Sequence, residues 1–310
     1  MPIHRRDFLR LSGITALGLG LASGVRWSGA RVVQASDAAA VANSAELHVL
    51  NRLTWGARPT DVERIYAMGI DAYIERQLAP ESIDDPRVDA LLAEYPVLTA
   101  PYRDVQAAAE EDYGIPYRAA LWGRIYRAAY SERQLYELMV EFWTDHFNIP
   151  ISDYLADKVV DDHEVIRRHA MGKFRDLLFA SAKSPAMLYY LDQAYSDSDH
   201  PNENYAREVM ELHTLGVDGG YTEQDVRELA RILTGWTVRD SWAGRFAFDP
   251  NMHDNGEKVF LGRTFPAGRG IEEGLEALDL LATHPATARY IAFKLVRRFV
   301  ADQPPPGLVD

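Results

Sequence analysis

The segment PNENYAREVMELHTLGVDGGYTEQDVRELARILTGWTV, from Pro201 to Val238, constrains the fold more than any other part of the chain. Its apolar residues recur at three- and four-residue intervals on both sides of Gly216 and Gly219-Gly220. This pattern predicts two helices joined by a glycine turn, with Thr222 and Asp225 marking the second start. Such a pair cannot cover its own apolar faces, and the rest of the chain supplies the cover. Helical periodicity recurs at about Ser44–Leu53, from Thr60 with Glu63 to Gly69, and at Asp71–Leu78. It is strongest over Tyr117–Tyr130 and Glu132–Phe147, where Ser131 and Gln134 form a capping box. Further helices are predicted at Asp161–Met171, Phe174–Ala182, Pro185–Gln193, Ile271–Ala282 and Pro285–Val300. After Trp236 the period changes: Phe246 alternates with Phe248 and Val259 with Leu261, around the turn dipeptide Asn255-Gly256. The expectation is a mainly α, multi-helix bundle-like domain with a small β-hairpin near residues 244–264.

The N-terminus reads differently. His4-Arg5-Arg6-Asp7-Phe8-Leu9-Arg10 is a twin-arginine pattern, followed by a modest apolar run from Leu11 to Val25 that is too glycine-rich for a stable membrane span. Val33-Gln34-Ala35 provides small residues for signal cleavage before Ser36. Residues 1–35 are therefore read as a twin-arginine signal peptide, 36–43 as a linker and 44–310 as a single helical domain. The expected location is the periplasm, cell envelope or exterior. A net charge of −13 excludes a phosphate-backbone partner, so no nucleic acid is expected. Loss of the arginine-rich signal makes the mature chain more acidic still. With no cysteine, disulfides, iron–sulfur clusters and thiolate chemistry are excluded.

Two constellations carry chemistry. On the helix from Asn204, the residues Arg207, Glu208 and Glu211 share an arc of about 100°. Two carboxylates one turn apart beside a guanidinium suit an acid/base pair or a divalent cation. The alternative is a solvated face with Glu203–Arg207 and Arg207–Glu211 pairs. Separately, His146, His169 and His213 fall on the apolar faces of three different helices. Three imidazoles plus water would make an open metal site; three unrelated core histidines, each bonded to a carbonyl or carboxylate, would look the same in sequence. On the helix of Glu132–Phe147, Glu137, Glu141, Thr144 and Asp145 form a polar arc opposite Phe142, Trp143 and Phe147. His253-Asp254 is either catalytic or a turn-stabilising pair, and the turn reading is favoured.

The stretches LNRLTWGARPTDVERI, YSERQLYELMVEFWTDHFNI, HAMGKFRDLL, SPAMLYYLD and HDNGEKVFLG, with the opening segment, resemble the bacterial exported family called domain of unknown function 1800. The resemblance covers nearly all of residues 44–300. It implies a mainly helical exported protein with no assigned activity. It also implies a neighbouring exported protein similar to sulfatases as a partner, and a copy truncated at its C-terminus. Where that family reads Phe-Trp-His-Asn-His-Phe, this chain has Thr144 in place of the first histidine, which leaves His146 as the candidate ligand. Two functions follow as expectations. The first is a metal-dependent hydrolase or oxidoreductase with metal ligands His146, His169 and His213 and catalytic groups Arg207, Glu208 and Glu211. The second is a non-catalytic envelope binding or assembly module for the sulfatase-like protein.

Overall fold

The structure, a computed structural model, describes residues 44–152, 154–239 and 244–309. The signal peptide and linker readings fall outside the described residues. Fourteen α-helices and two small antiparallel hairpins make up the regular structure of the described residues. No helix among them is long and apolar enough to cross a membrane.

An N-terminal group comprises α1 (Ala45–Leu53), α2 (Pro59–Met68) and α3 (Ile70–Leu78), packed around Leu50, Ile65 and Tyr73. The first turn of α2 forms two residues earlier than predicted, with Arg58 rather than Thr60 at the cap. Pro59 fits the first helical position, and Asp61 rather than Glu63 accepts from the Arg58 backbone N–H. Next come α4 (Pro86–Leu92), α5 (Tyr102–Glu111), α6 (Gly114–Tyr130), α7 (Gln134–His146) and α8 (Leu155–Asp161). A second core of Val97, Val105, Ala119, Leu155 and Val159 holds α5, α6 and α8 together. The predicted Ser131–Gln134 box is not made, because both side chains have tertiary partners. Ser131 Oγ donates to Asp85 at 2.5 Å, and the Gln134 amide oxygen accepts from the Trp55 N–H at 2.9 Å.

The helix predicted over Asp161–Met171 is the end of a longer element: α8 runs on as a π-helical turn from Asp162 to Arg167. Then follow α9 (Phe174–Ala182), α10 (Pro185–Tyr190) and α11 (Glu203–Glu208), which also runs into a π-helical turn, Val209–Thr214. Across the glycine turn, α12 (Glu223–Leu233) begins at the predicted Thr222–Asp225 capping box. It packs on α11 and on α13 (Ile271–Thr283), and α13 packs on α9 and α14 (Pro285–Phe299). The main core fills the space between them, from Phe142, Trp143 and Phe147 through Tyr205, Met210 and Leu229 to Trp236, Phe265 and Leu278.

The β structure is two hairpins where the sequence predicts one. Strand β1 (Trp236–Arg239) pairs with β2 (Arg245–Phe248), and β3 (Lys258–Phe260) pairs with β4 (Arg263–Phe265). Asn255-Gly256 lies between the hairpins. The tight turn of the second hairpin is Leu261-Gly262, both at positive φ (48° and 74°), as a two-residue type I′ loop requires. Helix α12 fixes this hairpin through carboxylates: Glu228 accepts from the Val259 N–H and Asp225 from the Leu261 N–H. His253 and Asp254 belong to the same connection. Asp254 accepts from the Gly256 N–H and from Arg231, and buried His253 bonds through Nδ1 to the Thr234 carbonyl.

Candidate functional site

Helix α7 has two faces, and each borders one candidate. The inner face turns Phe142, Trp143 and His146 into the core. His146 is 5% exposed, and Phe142, Trp143, Phe147, Phe174 and Tyr290 surround its ring. Its Nε2 lies 3.0 Å from the His213 carbonyl oxygen, which can only accept, so Nε2 carries the proton. Its Nδ1 is then the acceptor, and Lys294 Nζ on α14 donates to it at 2.7 Å. Burial, then the Lys294 ammonium and then His213 hold the His146 pKa down to about 3. Burial and Lys294 do the same to His213, also to about 3. Both imidazoles are therefore neutral at physiological pH.

Of the three predicted metal ligands, the structure brings two together. The His146 and His213 rings lie 6.2 Å apart, and His213 packs 5.0 Å from Phe147. His169 stays apart. It is half-buried at the end of the helix after the π turn, its carbonyl closes the Gly172 turn, and no ring contact joins it to the other two. Among the described residues no group of three His, Asp or Glu side chains could hold a metal ion. The lone pair that His146 would offer a metal is occupied by Lys294, a cation that would also repel one. The expected three-imidazole centre is corrected to a lysine–imidazole–carbonyl chain that ties α14, α7 and the π turn together.

The predicted acid stripe is also rearranged. Arg207 pairs with neither neighbouring glutamate but with Glu223 on α12, two bonds of 2.7 Å. Glu208 and Glu211 lie on either side of the α-to-π junction. Partial burial, reinforced by Glu211, raises the Glu208 pKa. Burial, then the Glu211 carboxylate, raises the Tyr221 pKa. The π turn shifts the register: the Leu215 N–H reaches back five residues to the Met210 carbonyl at 2.8 Å, and the Thr214 hydroxyl caps the Val209 carbonyl at 2.7 Å. His213 is thereby turned inward while Glu211 stays at the surface. Gly216 ends the element at φ 80°, where a side chain would meet Tyr290 at 3.0 Å.

The outer face of α7 borders a cavity of about 370 Å³ that the sequence reading missed. Its floor is the polar arc Glu137, Glu141, Thr144 and Asp145. Its walls are α6 and the α8 π turn. Most charges there are paired. Arg167 clamps Glu137 with bonds of 2.9 and 2.7 Å, Arg124 pairs with Glu141, and Lys158 bonds Asp161 and Asp162 at 3.1 and 2.6 Å. A second cavity of about 510 Å³, between α4, α7 and the π turn, shares Arg127, Glu137, His163 and Arg167 with the first. Arg127 is held down to about 10, first by burial and then by Arg167. The polar arc of α7 is visible in sequence; the arginines that face it come from other elements and are not.

A family model described as Protein of unknown function (DUF1800) matches residues 48–310. No curated protein and no solved structure matches the chain.

Proposed function

Because the chain belongs to that family, whose description brings no activity with it, we propose a function from the geometry: a non-catalytic exported module that binds a partner protein. The observation that carries this reading is the outer surface of α6. Tyr117, Leu121 and Ile125, spaced by four residues, form one apolar stripe with Tyr113 just ahead of the helix. Trp122 lies beside the stripe and Trp55 is a further exposed aromatic, and all six are between 40% and 48% exposed. A helix normally turns such a stripe inward, and a continuous exposed one of this kind marks a protein-binding surface. The catalytic alternative has less support. The acid stripe has Arg207 committed to Glu223, and His146 has both ring nitrogens engaged.

The twin-arginine pattern supports export of the folded chain, and the resemblance to an exported family points to the sulfatase-like exported protein as the partner. Co-expression of the two and affinity purification through either should recover a stable complex. The double variant Trp122→Asp/Ile125→Asp should lose it while unfolding at the same temperature as the parent. Retention of the complex by that variant, or stoichiometric metal in the purified protein with a hydrolytic activity lost in His146→Ala, would overturn the reading.

A further inference from the structure

Four cationic and four carboxylate side chains line each of the two cavities, but they do not pair one to one. Around the first, Arg124, Arg167 and Lys158 each hold a carboxylate: Glu141, Glu137 and the Asp161–Asp162 pair. Around the second, Arg168 holds Glu164 at 3.2 Å and Asp85 accepts from Ser131. Asp145 and Asp89 pair with none of these cations, and two guanidinium groups remain. Arg133 donates through Nε to the Ile83 carbonyl at 2.8 Å and has no carboxylate partner. Arg127 has no side-chain hydrogen bond or ion pair among the described residues, and it lines both cavities. A planar fork with five N–H donors that no side chain among the described residues engages is free to take an acceptor from outside the chain. Nearby Glu137 and Asp162 are engaged by Arg167 and Lys158 instead.

The rest of the first cavity's lining is apolar. Leu98, Leu121, Val140, Ile149 and Ile151 line it, next to the ring of Tyr117. A volume of about 370 Å³ lined by both charged and apolar side chains is the size and character of a small-molecule site. We propose that this cavity binds a small organic anion. Its carboxylate or phosphoryl head is gripped by Arg127 at the junction with the second cavity, and its apolar body lies against Leu98, Leu121, Val140 and Ile149. Tyr117 and Leu121 belong both to the cavity and to the exposed stripe, so the two readings are separated by residues that belong to one alone: Arg127 is not on the stripe, and neither Trp122 nor Ile125 lines a cavity.

The test is calorimetric titration of the full chain with phenyl phosphate and with phenylacetate, using inorganic phosphate and benzyl alcohol as the head and body alone. At least one of the two aryl anions should bind saturably at one per chain, about tenfold or more tighter than either fragment. Arg127→Lys, which keeps the charge and loses the fork, should weaken binding about tenfold, and Arg127→Gln further. Trp122→Asp/Ile125→Asp should leave it unchanged. No saturable binding of either aryl anion, equal binding of benzyl alcohol, or undiminished binding by a folded Arg127→Lys chain would overturn the proposal. Equal binding of inorganic phosphate would overturn the apolar-body assignment.

Discussion

The two faces of α7 contain the same kinds of groups and come to opposite ends. On the inner face, a lysine, the His146 imidazole and the His213 carbonyl form a chain in which both ring nitrogens of His146 are engaged, and aromatic rings enclose the imidazoles. On the outer face most carboxylates and guanidinium groups pair off, while Arg127 and Arg133 face open volume without a carboxylate partner among the described residues. The comparison teaches where to look for function. Buried histidines attract attention because burial is costly, yet here the cost is offset internally. The incomplete ledger is in the cleft, where a ligand can complete it.

Breaking the cleft's largest pair should have the largest effect. Glu137 is 8% exposed and holds Arg167 at two points. Glu137→Gln leaves a third unpaired guanidinium beside Arg127 and Arg133. Removing one partner of a buried pair costs about 3–5 kcal/mol, and access of water to the cleft places the expected loss near the lower end. Urea denaturation at pH 7.5 measures it. The comparison also predicts rescue: an aryl anion should raise the melting temperature of Glu137→Gln by more than that of the parent. A variant as stable as the parent would show that Arg167 does not depend on Glu137.

Next in size is the response of the inner face to acid. His146 and His213 ionise near 6.5 when unfolded and near 3 when folded. The unfolded chain therefore takes up protons first, and the stability contributed by these groups, complete above pH 6.5, is lost as pH falls toward 3. Each imidazole steepens the decline by about 1.4 kcal/mol per pH unit. Denaturation at pH 7.5, 6 and 5 should show this slope. His213→Leu, which keeps an apolar group against Phe147, should remove about half of the histidine part. An unchanged slope in that variant would mean that His213 is hydrated in solution.

Much of this architecture was legible because it depends on local chemistry. Thr222 and Asp225 cap α12 as their spacing predicts, Pro185 and Pro285 open their helices, and Gly69 closes α2. Predictions failed where a tertiary partner outbid a local one. Ser131 and Gln134 have the spacing of a capping box, but Asp85 and Trp55 take their side chains. Phe246 and Phe248 do form a strand, but it pairs back to Trp236–Arg239, because Leu261-Gly262 rather than Asn255-Gly256 makes the tight turn. The site was least legible. A helical wheel assumes one register throughout, and the π turn at Val209–Thr214 changes the register at the residues on which the argument turned. The polar arc of α7 was read correctly as an arc, but Arg127 and Arg167, which face it, come from α6 and from a turn beyond α8. That Arg127 lacks a partner is a statement about every neighbour at once, which no local pattern can contain.

Lys294 is where the two faces come closest to communicating, and it offers the smallest and sharpest test. Its ammonium donates to His146, while the charge of Asp145, on the cleft side of α7, supports its protonation against burial, which lowers its pKa. If the inner network is architecture, Lys294→Met removes one hydrogen bond and one nearby charge and nothing more. The expected cost is about 1–2 kcal/mol at pH 7.5, since the Nδ1 acceptor is left unsatisfied. The His146 pKa should rise from about 3 once the ammonium is gone, yet stay below 6.5, because burial is the larger cause of its depression. Acid destabilisation would then begin at the same pH and end at a higher one, so its total is smaller. Imidazole resonances followed by NMR from pH 7.5 to 4 would show this directly. Anion binding in the cleft should be unaltered in Lys294→Met; if it fell about tenfold, the two faces of α7 would have to be treated as one site.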